Sequence, residues 1–254
     1  MKASHVAISV VMATYNGEQY LREQLDSIVS QLGPADELVV SDDRSTDCTR
    51  TILSNFAAEG VTIVDTEGRL GPIRNFENAL QFASGDIIVL ADQDDVWLPG
   101  RLDRIRAHFA TSISRYDMLV LDSEIVDGAL NPTQGSLFSL LSAGPGFVKN
   151  IVCNTYVGCH MAFRRELLDI ALPFPPSIPM HDVWLGLVSE SVGPVTFAPG
   201  RTMLFRRYGS NYTQPRYSLR TRLYWRTGLI LSLLKLRFNR ALGDTRHGRA
   251  VMGG

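Results

Sequence analysis

Within its first hundred residues the chain repeats one pattern: a short apolar, β-branched run, then polar residues or a turn, then a stretch with helical spacing. Val6 to Met12 runs into Thr14-Tyr15-Asn16-Gly17, and Glu37 to Val40 into Ser41-Asp42-Asp43. Val61 to Val64 is a third run, and Asp86 to Leu90 a fourth that ends in Ala91-Asp92-Gln93-Asp94-Asp95. Between them, Leu21, Leu25, Ile28 and Val29 recur at helical spacing until Gly33-Pro34 stops the pattern. Ser45-Thr46-Asp47 reads as the cap of a second helix carrying Ile52, Leu53 and Phe56, and Pro72 to Phe82 as a third helix. Strands alternating with helices in this way predict an α/β fold, a mostly parallel sheet with helices on both faces. Such sheets bind ligands at the carboxyl ends of their strands, so three polar clusters should converge on one crevice.

The second half is less regular. Pro99-Gly100-Arg101 opens a helix, Met118 to Leu121 reads as a strand, and Asn131 to Pro145, rich in Gly, Ser and Pro, as a mobile loop. Thr155 to Phe163 is compatible with a strand through Gly158, Pro173 to Pro179 with a connector, and Val183 to Val192 with a helix. Val195 to Ala198 and Met203 to Phe205 read as two short strands, and Tyr217 to Arg240 as a basic, apolar helix with Gly228 as its weak point.

A chain of 254 residues with 45% hydrophobic content can bury a full α/β core. The net charge of -1 gives the whole molecule no electrostatic case for binding nucleic acid. From Arg201 onward, however, twelve Lys and Arg face one acid, Asp244. Cys48, Cys153 and Cys159 form no C-x-x-C pair, which favours a reducing compartment over a disulfide framework or a zinc site. No apolar run approaches the roughly 20 residues of a membrane span, so any membrane contact should be peripheral.

Several carboxylates on one strand-end loop repel unless a cation neutralises them, and hard oxygen ligands favour Mg²⁺ or Mn²⁺. The Asp92 to Asp95 tetrad is therefore the sharpest chemical signal, against the alternative of a solvated acidic turn. Ser45 and Asp47 read as capping residues, whereas Asp42 and Asp43 could accept hydrogen bonds from a nucleobase or ribose. Tyr15 offers a flat face to a base, or a partly buried aromatic to the core. His181-Asp182 opens a helix, where Asp182 is either a cap or a carboxylate able to take a proton.

Val10 to Gly17, Ser41 to Asp47 and Leu90 to Trp97, in this order and spacing, resemble the successive signatures of family 2 glycosyltransferases, which have the GT-A fold. The resemblance continues through Val157 to Phe163, Met180 to Leu185 and Phe205 to Asn211, and is nearest the bacterial rhamnosyltransferase branch that builds O-antigen and other surface polysaccharides. It implies a GT-A domain over 1–212, with a nucleotide-sugar half to about 115 and an acceptor half beyond, followed by a basic helical tail over 213–254.

The activity implied is transfer of one sugar, with inversion, from a nucleotide-sugar such as a UDP-sugar or dTDP-rhamnose to a saccharide or lipid-linked acceptor. Thr14, Tyr15, Asn16, Asp42, Asp43, Arg74, Asp92, Gln93 and Asp95 would hold the donor. Asp94, with Asp92, would bind Mn²⁺ or Mg²⁺, and Asp182 would be the catalytic base. Gly158, Cys159, His181, Trp184, Arg206 and Arg207 fall in acceptor or accessory motifs, and His181 stands where many relatives carry Glu. The absence of a Q-x-x-R-W motif argues against a processive synthase.

Competing classes fare less well. No G-x-G-x-x-G or G-x-x-x-x-G-K-[ST] is present, which removes dinucleotide-binding dehydrogenases and P-loop NTPases. A sugar nucleotidyltransferase should carry a Gly-rich basic loop after its first strand, and a catalytically degenerate nucleotide-sugar-binding protein stays open. In the tail, Leu219, Leu223, Ile230, Leu233 and Leu234 mix with Arg216, Arg220, Arg222, Arg226, Lys235 and Arg237. Such a helix could lie in a membrane interface, the preferred reading given the family's lipid-linked acceptors, or pack on the catalytic domain or on a second subunit of a homo-oligomer. The expected location is the cytoplasm, with peripheral contact to the inner membrane face.

Overall fold

The computed structural model describes residues 6–209 and 218–251. Ser210, Asn211, Arg216 and the boundary drawn at residue 212 lie outside the described residues, as do the side chains of Leu219, Arg222 and residues 240–251. In chain order the elements are β1 (Ile8–Thr14), α1 (Leu21–Val29), β2 (Glu37–Asp42), α2 (Thr49–Phe56), β3 (Val61–Val64), α3 (Gly71–Leu80), β4 (Ile87–Ala91), β5 (Val96–Trp97) and α4 (Arg101–Thr111). There follow β6 (Met118–Val126), β7 (Pro132–Ser136), α5 (Leu137–Leu141), α6 (Phe147–Val152), β8 (Met161–Arg164), α7 (Leu168–Ala171), α8 (His181–Val192), β9 (Val195–Arg206) and α9 (Leu219–Val251).

The expected α/β architecture is present. β3-β2-β1-β4 pair in parallel, and alternate residues of each strand enter opposite cores. Ile8, Val10 and Met12 pack with α1, α2 and α4 on one face, while Val11, Val39, Ile88 and Leu90 pack with α3 and α8 on the other. This double burial explains why the strands are continuous apolar runs rather than alternating ones. Thr14 pairs with Asp42, and Met12 with Ala91. The three polar clusters therefore emerge side by side at one sheet edge.

The second half corrects several expectations. The sheet continues as β8-β6-β9-β5, with β8 antiparallel between β4 and β6, β6 and β9 parallel, and β7 on β6. Asn131 to Pro145 is not a structureless loop: it forms β7 and α5, whose first turn is capped by the Ser136 hydroxyl accepting from the Ser139 N–H. Val195 to Phe205 is one long strand, because register shifts opposite Leu121, Asp122 and Glu124 absorb the Pro199-Gly200 interruption. Gly158 sits in a 3₁₀ turn ahead of β8 rather than inside a strand.

Gly228 is a contact point rather than a weak point. A Cβ there would lie 2.6 Å from Ser177 Cβ, so glycine lets α9 approach the connector before α8. α9 packs Leu229, Leu233 and Leu236 into the core beneath α8.

Candidate active site at the carboxyl edge of the sheet

The loop after β1 is held by both neighbouring loops. Asn16 adopts a left-handed backbone (φ 47°), which asparagine tolerates better than most residues. Its Oδ1 accepts from Thr46 N (2.9 Å), and its own N–H donates to Ser45 Oγ (2.9 Å). On the other side the Gln93 amide grips the Tyr15 backbone twice, accepting from its N–H (2.9 Å) and donating to its carbonyl (3.1 Å). Gly17 makes room for this clasp, since a Cβ would lie 2.5 Å from Gln93 Oε1 and displace the amide. The Tyr15 ring is covered on one face by the Arg69 guanidinium, 3.8 Å from its centroid.

Asp42 and Asp43 are both buried and well supplied with donors. Asp42 accepts from Thr14 Oγ1 (2.9 Å), Ser45 N (3.0 Å) and Ser45 Oγ (2.5 Å). Asp43 accepts from Leu70 N (2.5 Å) and Gly71 N (2.8 Å), pinning the entry to α3. The Ser45 hydroxyl is thus used on Asp42 and does not cap α2, whereas Asp47 accepts from Thr49 N (2.9 Å) at the helix start. Arg74, in the first turn of α3, pairs with Glu77 one turn on.

The acidic tetrad divides its labour. Asp92 and Asp95 come together with the buried Cys159 thiol, their candidate ligand atoms all within 4.8 Å of one another. Burial first, and then the Asp94 charge, push Asp92 up to about 6. The same causes, with Asp92 added, raise Asp95 well above the carboxylate range. Asp95 Oδ1 accepts from Arg206 N (3.0 Å), but its buried Oδ2 has no hydrogen-bond partner among the described residues. Asp94 Oδ2 accepts from the Tyr208 hydroxyl (2.9 Å) and does not join the Asp92-Asp95-Cys159 group. An orphaned carboxylate oxygen beside two further anionic or soft donors fits a divalent cation.

Two buried arginines underlie this loop. Arg206 donates from Nε to Asp94 O (2.8 Å), from Nη1 to Gly128 O (2.8 Å) and from Nη2 to Glu23 Oε2 (2.6 Å), with its guanidinium 4.1 Å from the Tyr20 ring centroid. It is scaffold for the tetrad. Arg101 donates to Cys159 O (2.8 Å) and Thr202 Oγ1 (2.5 Å), and burial brings it down to about 10. Arg207 is exposed, with its N–H on Val126 O (2.8 Å).

Asp182 is the second residue of α8, its Oδ1 accepting from Val183 N (2.6 Å). Burial is the largest influence on it and the Asp92 charge adds to it; against these act the N–H groups of Val183 and Gly158, leaving Asp182 at about 7. Gly158, whose N–H acts on Asp182, precedes Cys159 of the Asp92-Asp95-Cys159 group, so Asp182 lies beside the tetrad. His181 is buried and stacked on Phe76 (centroids 4.1 Å apart), held neutral with its pKa down at about 3 by burial. Neither ring nitrogen has a hydrogen-bond partner among the described residues, and a Cβ on Gly158 would lie 2.8 Å from Nε2. Trp184 points into the core, where its indole N–H donates to Ala171 O (2.8 Å). Its position in an accessory motif thus reflects packing.

Sequence reasoning gave no role to Arg69, Arg101, Tyr20, Glu23 or Tyr208. Only Tyr208 carried a signal, as part of the motif from Phe205 onward. Gln24, buried in α1, was also missed: its Nε2 donates to Asp92 O (2.8 Å) and fixes where the tetrad begins.

Residues 9–170 match the family model described as glycosyl transferase family 2. The chain is 31% identical over 193 residues to the Escherichia coli UDP-Glc:alpha-D-GlcNAc-diphosphoundecaprenol beta-1,3-glucosyltransferase WfgD, covering 72% of this chain and 70% of that one. It is 27% identical over 234 residues to the Shigella flexneri dTDP-rhamnosyl transferase RfbG, covering 86% and 78%. Among solved structures, S. aureus TarS in complex with UDP-GlcNAc superposes with a TM-score of 0.67 at 21% identity, over 84% of this chain and 62% of that one. Mycobacterium tuberculosis glucosyl-3-phosphoglycerate synthase, in complex with Mn²⁺, UDP and glucosyl-3-phosphoglycerate, does so with 0.57 at 22% identity, over 92% and 80%. The chain spans only 54% of the uncharacterized glycosyltransferase alr2836 of Nostoc, to which it is 28% identical over 66% of its own length. With the family match reaching from the first strand to α7 and the acidic crevice at the sheet's carboxyl edge, this chain belongs to glycosyltransferase family 2.

Proposed function

We propose that the chain transfers one sugar, with inversion at the anomeric carbon, from a nucleoside diphosphate sugar to an acceptor hydroxyl, and that Asp182 is the base. The observation that carries this reading is Asp182 itself. It is a carboxylate at a helix start, facing the acidic loop closely enough to feel the Asp92 charge, with its pKa lifted to about 7. A base near neutrality can take a proton at working pH and hold it.

The nucleoside would lie along the loops of Thr14-Tyr15-Asn16 and Asp42-Asp43, with the exposed end of Arg74 toward the diphosphate. Thr14 already bonds to Asp42, Asn16 to Thr46, Gln93 to the Tyr15 backbone and Asp43 to Leu70 and Gly71, so they would act by fixing loop shape, which leaves the nucleoside to backbone groups and the Tyr15-Arg69 pair. Asp92 and Asp94 would hold Mn²⁺ or Mg²⁺, Asp94 turning from the Tyr208 hydroxyl toward the group that Asp92 forms with Asp95 and Cys159. When bound, that cation supplies neutralisation of the charge developing on the diphosphate. Asp182 removes the proton as the acceptor oxygen attacks the anomeric carbon from the face opposite the departing diphosphate, and alignment of the two reactants supplies much of the remaining rate.

The likeness to WfgD and RfbG supports a UDP- or dTDP-sugar, dTDP-rhamnose among them, and a surface-glycan or lipid-linked acceptor. The deciding experiment is a panel of nucleotide-sugars incubated with Mn²⁺ or Mg²⁺ and candidate acceptors. Diphosphate release that depends on the acceptor, with an inverted product anomer, is expected. Tight donor binding without release would instead make the chain a degenerate nucleotide-sugar-binding protein.

A further inference from the structure

α9 has two apolar faces, and the protein covers only one. At about 100° per residue, Leu229, Leu233 and Leu236 share the side packed into the core. Leu223, Tyr224, Ile230, Leu231, Leu234 and Phe238 fall within an arc of roughly 120° on the other side. They are exposed: Leu223 62%, Leu231 66%, Leu234 56% and Phe238 65%. α6 widens the strip. Arg226 reaches the Val152 carbonyl and the Arg237 guanidinium lies 5.4 Å from the Phe147 ring centroid, so the exposed Val148 and Val152 adjoin it. A run of exposed leucines and aromatics on one helix face is a surface meant to be covered.

The charge around the strip indicates what covers it. Arg220, Arg226, Lys235 and Arg237 are the charged side chains described on α9, Lys149 lies on α6, and neither helix has an acid among its described side chains. Two copies docked through this face would bring cations against cations with no carboxylate between them. An anionic lipid surface satisfies both features, taking the leucines into the acyl boundary while its headgroups neutralise the flanking cations. No described helix is long and apolar enough to cross a membrane, so α9 would lie in the interface plane. We infer that the outer face of α9, with Val148 and Val152 of α6, is a docking surface for an anionic membrane. This does not depend on the transferase reading, since it concerns binding and not turnover.

The test uses the full chain and co-sedimentation with phosphatidylcholine vesicles, with and without phosphatidylglycerol. Binding should require the anionic lipid and weaken as salt is raised. The paired substitution Leu231→Ser with Leu234→Ser should reduce binding at least about tenfold, and Arg220→Glu with Lys235→Glu should do the same by removing the headgroup attraction. All four side chains are exposed, so both variants should melt with the parent and bind donor as it does. Equal binding to both vesicle types, or variants that bind like the parent, would overturn the inference. So would a dimer in free solution that the leucine variant splits while vesicle binding is untouched, which would give the face to a second copy.

Discussion

Replacing Asp182 by Asn tests the base and its electrostatic setting together. In the folded chain Asp182 titrates at about 7, against 3.8 for an unburdened aspartate, mainly through burial. Between these values the folded state holds a proton that the unfolded state has lost, so stability falls as pH rises across that window. At 1.36 kcal/mol per pKa unit, a shift of roughly three units corresponds to about 4 kcal/mol of destabilisation above pH 7. Water reaches part of the side chain, which reduces the expected yield to roughly 1–3 kcal/mol. Asn imitates the protonated carboxyl and keeps an oxygen for the Val183 N–H, so the variant should match the parent near pH 4 and exceed its stability at pH 8. Urea denaturation in the presence of a chelator, at several pH values, reads this difference. Turnover should fall by about 10²- to 10⁴-fold while donor affinity is nearly unchanged, and the parent's rate should decline below neutral pH. A stability difference that does not grow with pH would refute the electrostatic reasoning. Loss of donor affinity with turnover at saturation intact would refute the base.

Asp94→Ala should abolish activity and also the rise in stability that saturating Mn²⁺ gives the parent, about 2.7 kcal/mol at a hundred times Kd; full turnover in chelator-treated enzyme would sink the metal requirement. Arg206→Met leaves the acceptors at Asp94 O and Gly128 O without their donor and should cost about 2–4 kcal/mol in urea denaturation, whereas a loss below about 1 kcal/mol would show that other donors replace it. Gly17→Ala pushes a methyl group at the Gln93 amide and should weaken donor binding with a stability loss of about 1 kcal/mol. Combined with Gln93→Ala its effect should be less than additive, and strict additivity in a double-mutant cycle would show that the clasp on Tyr15 is not what it disturbs.

The half of the fold written in local pattern was legible. β1 to β4 and their helices could be read because each strand is one apolar run and each boundary a turn or polar cluster. What escaped depends on distant pairing. β8 enters the sheet antiparallel between β4 and β6 with only four residues, too few to announce a direction. Pro199-Gly200 looked like a strand end, yet pairing with β6 carries β9 through it. The same holds in the site. The tetrad was visible as four adjacent letters, but the contacts that separate its members come from far away: Arg206 N on Asp95, Tyr208 on Asp94 and Gln24 on the Asp92 carbonyl. Gln93, read as a donor contact, is a strut for Tyr15 in this structure.

The acids at this edge therefore fall into two kinds, and their hydrogen bonds tell them apart. Asp42 and Asp43 receive five donors between them from neighbouring hydroxyls and backbone N–H groups, and in return they fix the loops after β1 and before α3. Such carboxylates are charged walls, already satisfied. The half-buried Asp92 and Asp182 and the buried Asp95 have fewer donors, and burial raises all three, with the Asp94 charge adding to it at Asp92 and Asp95 and the Asp92 charge at Asp95 and Asp182. Arg101, whose charge reaches Asp95, relieves this only in part, because its guanidinium donates to the Cys159 carbonyl and Thr202, and Arg206 donates to backbone carbonyls and Glu23. Among the described residues no Lys, Arg or His forms an ion pair with Asp92, Asp95 or Asp182. A cation answers it at Asp92 and Asp95, and a proton drawn from a hydroxyl answers it at Asp182, so the same shortage of donors favours both the metal and the base.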